Sequence, residues 1–417
     1  MAELIRAIVG SGGKTTLIKR YAEEYRTLGK RVLITTSTHM MIEEYTLLTD
    51  HADEIIAELE RKKFVMAGLR QGSKMGALPP SVYEKVCSYA DIVLIEADGS
   101  KHKPVKYPAP YEPVIYDNVD EIVIVCGLHA LGLPMREAAH RLELVKECLG
   151  VEEDTIVTAE HMKKLLIRGY IDRLVKDHPG KRLSVYFHYA EWREIRGGYE
   201  QSLKREAQAV RAGQLLRHEF AEIIERKSAR IGCVIMASGQ GKRFGSNKLL
   251  ADFRGRTLIQ TALDTTGEEL FARKVVVTRS GEVAEICRSQ GVPVILHDMP
   301  GRNDAVRLGI EAMAGMKGCL FCLCDQPLLT QDTLKRMTDH FVRGEHKIIQ
   351  LGFGDRRGNP VLFAADYFEE LRRLPEKRGG SYLLGLYPED VGIVEAEREQ
   401  ELCDIDTRED LEELLRE

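Results

Sequence analysis

No stretch of this 417-residue chain approaches the ~18 uninterrupted apolar residues of a membrane span. Its opening, Met1-Ala2-Glu3-Leu4-Ile5-Arg6, lacks the basic segment and long apolar run of a signal peptide, so the expected location is the cytoplasm. Basic residues are not in excess. With 60 Lys and Arg against 65 Asp and Glu, the formal net charge is −5, which does not supply the basic stripe that a nucleic-acid backbone selects. Neither nucleic acid nor membrane is an expected partner. The nine cysteines are odd in number and scattered, which fits reduced thiols better than a disulfide framework. Low-complexity tracts and repeats of roughly 20 to 50 residues are also missing.

What is present is a globular composition, 44% hydrophobic and 30% charged, on a chain too long for one ordinary core. Twice an apolar run leads into a Gly-rich turn and then a helical pattern, and each time alternating strand and helix signals follow. The first series has apolar runs at residues 5–9, 31–35, 91–95, 121–125 and 183–187, with a helix over 14–28 closed by Gly29. The second has them at 231–237, 274–278, 292–296, 319–324 and 347–351, with a helix over 304–313. An amphipathic charged stretch over 201–230 reads as the last helix of the first series and its connector. The expected fold class is α/β in two domains. Residues 1–228 form a P-loop-like α/β domain, and residues 229–417 form a Rossmann-like domain with a mostly parallel, doubly wound sheet.

In the second domain the turn runs Ala237-Ser238-Gly239-Gln240-Gly241-Lys242-Arg243-Phe244-Gly245-Ser246-Asn247-Lys248. Its glycines let backbone N–H groups approach an anion, and Arg243 and Lys248 supply charge for a triphosphate. The third glycine falls one residue late for a dinucleotide fingerprint, which favours a triphosphate over a nicotinamide dinucleotide. Asp325 in Cys324-Asp325-Gln326-Pro327 ends an apolar run, where ligands of open α/β sheets sit, so it can hold a metal against the phosphates; alternatively it caps the helix at Thr330. Asp404 and Asp406 precede the final helix, as further carboxylates or as a capping segment.

In the first domain Val9-Gly10-Ser11-Gly12-Gly13-Lys14-Thr15-Thr16 follows a strand and opens a helix, the setting of a phosphate-binding loop. Ile8 stands where the leading Walker glycine is expected. Gly10, Gly12, Gly13, Lys14, Thr15 and Thr16 are the candidate nucleotide contacts, with Lys14 toward the outer phosphates and the Thr15 hydroxyl toward Mg²⁺. Glu96 and Asp98 are metal or water partners, unless they only shape the strand-end turn. Base signatures are lacking, so ATP and GTP stay open here.

Together with Met236-Ala237-Ser238-Gly239, the Cys324 to Pro327 segment, Gly358-Asn359-Pro360-Val361, Arg378-Gly379-Gly380 and Asp404-Ile405-Asp406-Thr407 make the second half resemble the MocA-type molybdenum cofactor cytidylyltransferases. The resemblance implies transfer of CMP from CTP to molybdopterin phosphate with release of pyrophosphate. It also implies a nucleotide site at Ala237, Ser238, Gly239 and Gly241, Mg²⁺ held by Asp325 and Asp406, catalytic Arg243, Lys248 and Asp325, and an acceptor site at Gly358, Asn359 and Pro360. Departures are Ser238, where the family has a second Ala, and Arg408, where it has Pro; they bear on the base. The first half resembles the YqeC family through Thr35-Thr36-Ser37-Thr38-His39, the 96–100 segment, Glu112-Pro113-Val114-Ile115, residues 127–132 and His140-Arg141. That family is associated with maturation of selenium-dependent molybdenum hydroxylases, which makes an apo hydroxylase a candidate protein partner. A sugar- or polyol-phosphate nucleotidyltransferase and a nucleotide-gated cofactor-insertion chaperone are the competing readings.

Three further signals point toward packing instead. Cys319, Cys322 and Cys324 share one apolar run without a fourth ligand, His39 has an equally good structural role, and Trp192 and Tyr189 read as packing residues.

Overall fold

The computed structural model describes residues 2–99, 103–188, 213, 216–217, 219–239, 243–301, 303–376 and 378–416. Gly241, Tyr189, Trp192 and half of the 201–230 stretch fall outside them. The chain divides into two compact units, Met1–Ile224 and Glu225–Glu417.

The first unit contains β1 (Leu4–Gly10), β2 (Val32–Thr36), β3 (His39–Met41), β4 (Thr46–Leu48), β5 (Phe64–Gln71), β6 (Lys74–Gly76), β7 (Ile92–Glu96), β8 (Val105–Lys106), β9 (Glu121–Gly127), β10 (Ala139–His140) and β11 (Arg182–His188). Nine of these form one sheet in the order β11-β9-β1-β7-β2-β5-β6-β3, with β4 on β5. The central pairings are parallel, and only β6 runs antiparallel to its neighbours β5 and β3. Alternation along the strands divides the apolar residues between two faces. Ile8, Ile34, Leu94 and Val123 pack with Leu17, Ile18 and Ala22 of α1 (Lys14–Thr27), while Ala7, Leu33, Val93 and Ile122 face a second core. Buried positions 14, 18 and 22 on α1 follow the i, i+4 stripe that turns one helix face to the sheet. Each fully buried Leu or Ile there is worth ~1.5–3 kcal/mol.

Register positions the unit's functional edge. Ile8 and Thr36 both lie opposite Glu96, and Gly10 lies opposite Val125. The carboxyl ends of β1, β2, β7 and β9 therefore finish together, and the turn after β1 meets the residues after β7.

The second unit contains β12 (Ile231–Ala237), β13 (Asp252–Phe253), β14 (Arg256–Thr257), β15 (Arg273–Thr278), β16 (Val294–Leu296), β17 (Gly318–Leu323), β18 (Ile348–Phe353), β19 (Arg356–Ala364) and β20 (Val391–Glu395). Its main sheet runs β16-β15-β12-β17-β19-β18-β20. All neighbours are parallel except that β19 is antiparallel to β17 and β18. β12 is flanked by β15 on one side and β17 on the other, so successive crossovers leave it in opposite directions. That is the crevice at which open α/β sheets hold ligands. Ala237 pairs with Thr278 and Met236 with Leu323, which sets the Gly-rich turn beside Asp325.

The antiparallel β19 departs from the strand series read in the sequence, and it carries the Gly358-Asn359-Pro360 segment. Pairing with β18 jumps from Gln350 opposite Val361 to Leu351 opposite Gly358, leaving Asn359 and Pro360 in a bulge. Proline has no N–H for the ladder, and a bulge is where a sheet tolerates it.

Candidate functional site

In the first unit the turn after β1 is shaped by close packing. Gly10 has φ 93°, and a Cβ there would lie 2.1 Å from the Val125 carbonyl oxygen; at Gly13, with φ 142°, a Cβ would strike the His188 ring. Neither position accepts a side chain. Gly13 precedes α1 without a side-chain cap and no acidic residue occupies the first turn, so no cap side chain or first-turn carboxylate competes with an anion at the helix start.

Lys14 is buried, donates to the Gly10 carbonyl at 2.8 Å and lies 3.0 Å from Asp98 Oδ1 and 4.0 Å from Glu96. The Thr15 hydroxyl donates to Glu96 at 3.4 Å. Burial raises the Glu96 carboxyl above its ordinary range, outweighing the nearby Lys14 charge, and Asp98 adds to the rise. Asp98 has no exposed surface. Its Oδ2 accepts from the Gly10 N–H at 3.0 Å, Lys106 Nζ at 3.0 Å and Tyr170 Oη at 2.8 Å. A cavity of about 800 Å³ opens over the turn, lined in part by Gly12, Gly13, Lys14, Thr15 and Thr16. His39, Glu112, His129, Arg141 and His188 also line it. Thus the structure brings the whole set of candidates at 12–16 and Glu96 to one cavity. Sequence reasoning overlooked Lys106 and Tyr170, which lie far along the chain with no local motif.

In the second unit Asn247 accepts from the Leu249 N–H at 3.2 Å and starts a short 3₁₀ turn that carries Lys248 inward. Lys248 Nζ meets Asp325 Oδ2 at 2.6 Å, the Ile405 carbonyl at 2.7 Å and Asp406 Oδ1 at 3.2 Å. Arg243, largely exposed, reaches Asp406 Oδ2 at 3.1 Å. Burial alone would lower the Lys248 pKa, but the two carboxylates outweigh it and leave the ammonium raised. Burial and the charges of Asp325 and Asp406 raise the Asp404 carboxyl. Asp325 Oδ1 is buried without a hydrogen-bond partner, an acceptor suited to a cation.

Two competing explanations for these carboxylates are decided by the caps. The helix Gln331–Arg343 is capped by Thr330 itself, whose side chain accepts from the Thr333 N–H, so Asp325 is not its cap. The final helix starts with a reciprocal pair, Asp410 accepting from the Thr407 N–H at 2.7 Å and Thr407 Oγ1 accepting from the Asp410 N–H at 3.2 Å. Asp406 is left facing Lys248 and Arg243.

Ala237 ends β12, and Ser238 Oγ donates to the Val277 carbonyl at 3.1 Å and lies 2.9 Å from His297 Nε2. His297 was not a sequence candidate. Gly239 has open space where a side chain would be. Gly358 packs against Leu402. The three cysteines of the 319–324 run are buried free thiols divided between the two faces of the sheet, in keeping with a packing role.

A Gly-rich turn, two basic residues and convergent carboxylates at the switch point of a parallel-rich sheet are the parts of an enzyme that handles nucleoside triphosphates. Residues 233–391 match the model of the MobA-like NTP transferase domain, and residues 6–143 that of the YqeC protein family. The C-terminal part of the chain is a nucleotidyltransferase domain of the MobA-like type, and the N-terminal part carries a YqeC-family domain. An uncharacterized protein YqeC of Escherichia coli is 32% identical over 169 residues, covering 38% of this chain and 66% of that protein. A probable molybdenum cofactor guanylyltransferase of Aquifex aeolicus is 23% identical over 189 residues, covering 44% and 89%. A 3-deoxy-manno-octulosonate cytidylyltransferase of Chlorobium phaeobacteroides is 34% identical over 101 residues, covering 24% and 40%.

Proposed function

We propose that the second unit transfers a nucleoside monophosphate from a nucleoside triphosphate to the phosphate of molybdopterin and releases pyrophosphate. The observation that carries this reading is the cluster of Lys248, Asp325, Asp406 and Arg243 beside the Gly-rich turn, with one Asp325 oxygen left for a cation. Asp325 and Asp406 would hold Mg²⁺, which when bound offsets the charge that grows as two anions meet. Lys248 then turns its ammonium from the carboxylates to the phosphates, and Arg243 adds a second cation from the solvent side. Ala237, Ser238, Gly239 and Gly241 of the Gly-rich turn are the proposed contacts to the triphosphate. Gly358, Asn359 and Pro360 form part of the acceptor site, where the β19 bulge takes Asn359 and Pro360 out of the ladder next to the paired Gly358.

CTP is the proposed donor on the strength of the MocA-type motifs. Named relatives include both a guanylyltransferase and a cytidylyltransferase. Pyrophosphate release with molybdopterin and either CTP or GTP tests the assignment. Faster turnover of GTP would move the base assignment, and no release with either nucleotide would remove the transferase reading in favour of a nucleotide-gated insertion chaperone.

For the first unit we infer that the turn at residues 10–16 binds the phosphates of ATP or GTP, with Thr15 and Glu96 toward Mg²⁺. The domain then serves as an accessory part in maturing a molybdenum hydroxylase, the selenium-dependent kind by its family resemblance. Lys14→Ala is expected to weaken nucleotide binding to this unit at least about tenfold, as loss of a charge-assisted contact implies. Unchanged photolabelling of first-unit peptides by an azido-nucleotide would count against the site.

A further inference from the structure

A line of buried ion pairs leads from the Gly-rich turn of the first unit to Arg141, another residue lining its cavity. Asp98 accepts from the Gly10 N–H and from Lys106, and Lys106 Nζ lies 2.8 Å from Glu112 Oε2. Glu112 then engages Arg141 through both carboxylate oxygens, Oε1 at 3.1 Å from Nη2 and Oε2 in close contact with Nη1. Lys106 and Asp98 have no exposed side-chain surface, and Glu112 has 8%. With its interior partners fixed, the pair at Arg141 lacks the looseness of an exposed salt bridge. Burial works to raise the Glu112 carboxyl, but Arg141 and Lys106 hold it down at about 2, so it stays charged and oriented.

The backbone of Arg141 supports the same reading. It sits in the left-handed region at φ 61° and ψ 60°, just before the helix Leu142–Leu149. Non-glycine residues populate that region sparsely, and here the backbone is held in it together with the Glu112 pair. The bidentate pair with Glu112 engages two of the five guanidinium N–H donors and a long Nη2 contact to Tyr111 Oη at 3.5 Å a third, so an anion beside Glu112 would take the remaining donors and displace Tyr111. Arg141, Lys14 and Thr15 line one cavity of about 800 Å³.

We propose that Arg141 is the second anion-binding arm of this unit: it meets the terminal phosphate of a nucleoside triphosphate whose inner phosphates lie on Lys14 and the first turn of α1. The inference rests on the nucleotide reading of the first unit and adds what that reading does not contain, a means of telling triphosphate from diphosphate. Glu112, Lys106 and Asp98 are positioning residues that aim the guanidinium. A planar guanidinium matches a terminal phosphate through two parallel N–H···O contacts, which a lysine does not reproduce.

The test uses the full chain, photolabelled with 8-azido-ATP and 8-azido-GTP and competed by the corresponding triphosphate or diphosphate, with label counted only on peptides of the first unit. In the wild type the triphosphate is expected to compete at least about tenfold better than the diphosphate, as one charge-assisted bidentate contact implies. Arg141→Ala should bring the two competitors together while label persists, and Arg141→Lys should recover part of the difference. Glu112→Gln should narrow it without removing label. If Arg141→Ala or, should that variant not fold, Arg141→Lys keeps the full wild-type preference, the arm is misassigned. If the wild type takes no label in the first unit, the nucleotide reading itself fails, and this inference with it.

Discussion

Asp325→Asn is expected to depress kcat for pyrophosphate release by at least ~10²-fold, the size of a lost main electrostatic element of catalysis. The side chain keeps its volume and one oxygen, and Ile405 N–H still donates to the backbone carbonyl of residue 325, so the turn after β17 should hold its shape. What disappears is the charge that pairs with Lys248 at 2.6 Å and that would fix the cation. Apparent affinity for the triphosphate should fall less than turnover, because the glycine turn and Arg243 still meet the ground-state phosphates. Lys248→Ala should differ by weakening both. Steady-state kinetics with molybdopterin and CTP, read as kcat and KM separately, makes the comparison. A wild-type rate from Asp325→Asn would put the metal site elsewhere.

Asp98→Ala is expected to cost the first unit about 3–5 kcal/mol, a large share of the ~5–15 kcal/mol that ordinarily keeps a domain folded. The carboxylate is wholly buried and gathers Lys14, Lys106, the Tyr170 hydroxyl and the Gly10 N–H. Deleting it leaves two buried ammonium groups one carboxylate short, Lys106 with Glu112 and Lys14 with the Gly10 carbonyl and the more distant Glu96, which costs more than deleting an exposed ion pair. Urea denaturation followed by tyrosine fluorescence should show an earlier transition, and Asp98→Asn, which retains an acceptor for Tyr170 and Gly10, should lie between the two. A midpoint for Asp98→Ala within error of the wild type would show that the network is not what holds the turn.

The division of labour between sequence and tertiary structure can be followed residue by residue. The long apolar runs announce themselves: those at 5–9, 121–125 and 231–237 lie within β1, β9 and β12, because strands buried on both faces must be apolar throughout. α1 ends at Thr27, one residue before the expected position, with Gly29 beyond it at φ 77°. Short strands were silent. β3, β4 and β6 span three residues each, too few for a period to register, and β19 is interrupted by Gly358 and Pro360.

Local chemistry was therefore written in the chain itself. A glycine turn before a helix carries its geometry in the absence of Cβ atoms, and a lysine or carboxylate beside it can be recognised from sequence because the whole motif spans a few residues. The partners of those groups could be found only in the fold. Lys248 meets Asp325 and Asp406 because parallel register aligns the ends of β12 and β17 and the chain returns past Ile405. Likewise Asp98 meets Lys106 and Tyr170, and Glu112 meets Arg141, across separations that no periodicity encodes. Which buried charges neutralise one another depends on three-dimensional proximity in a medium that water does not screen, and that is decided only when the sheet has closed its register.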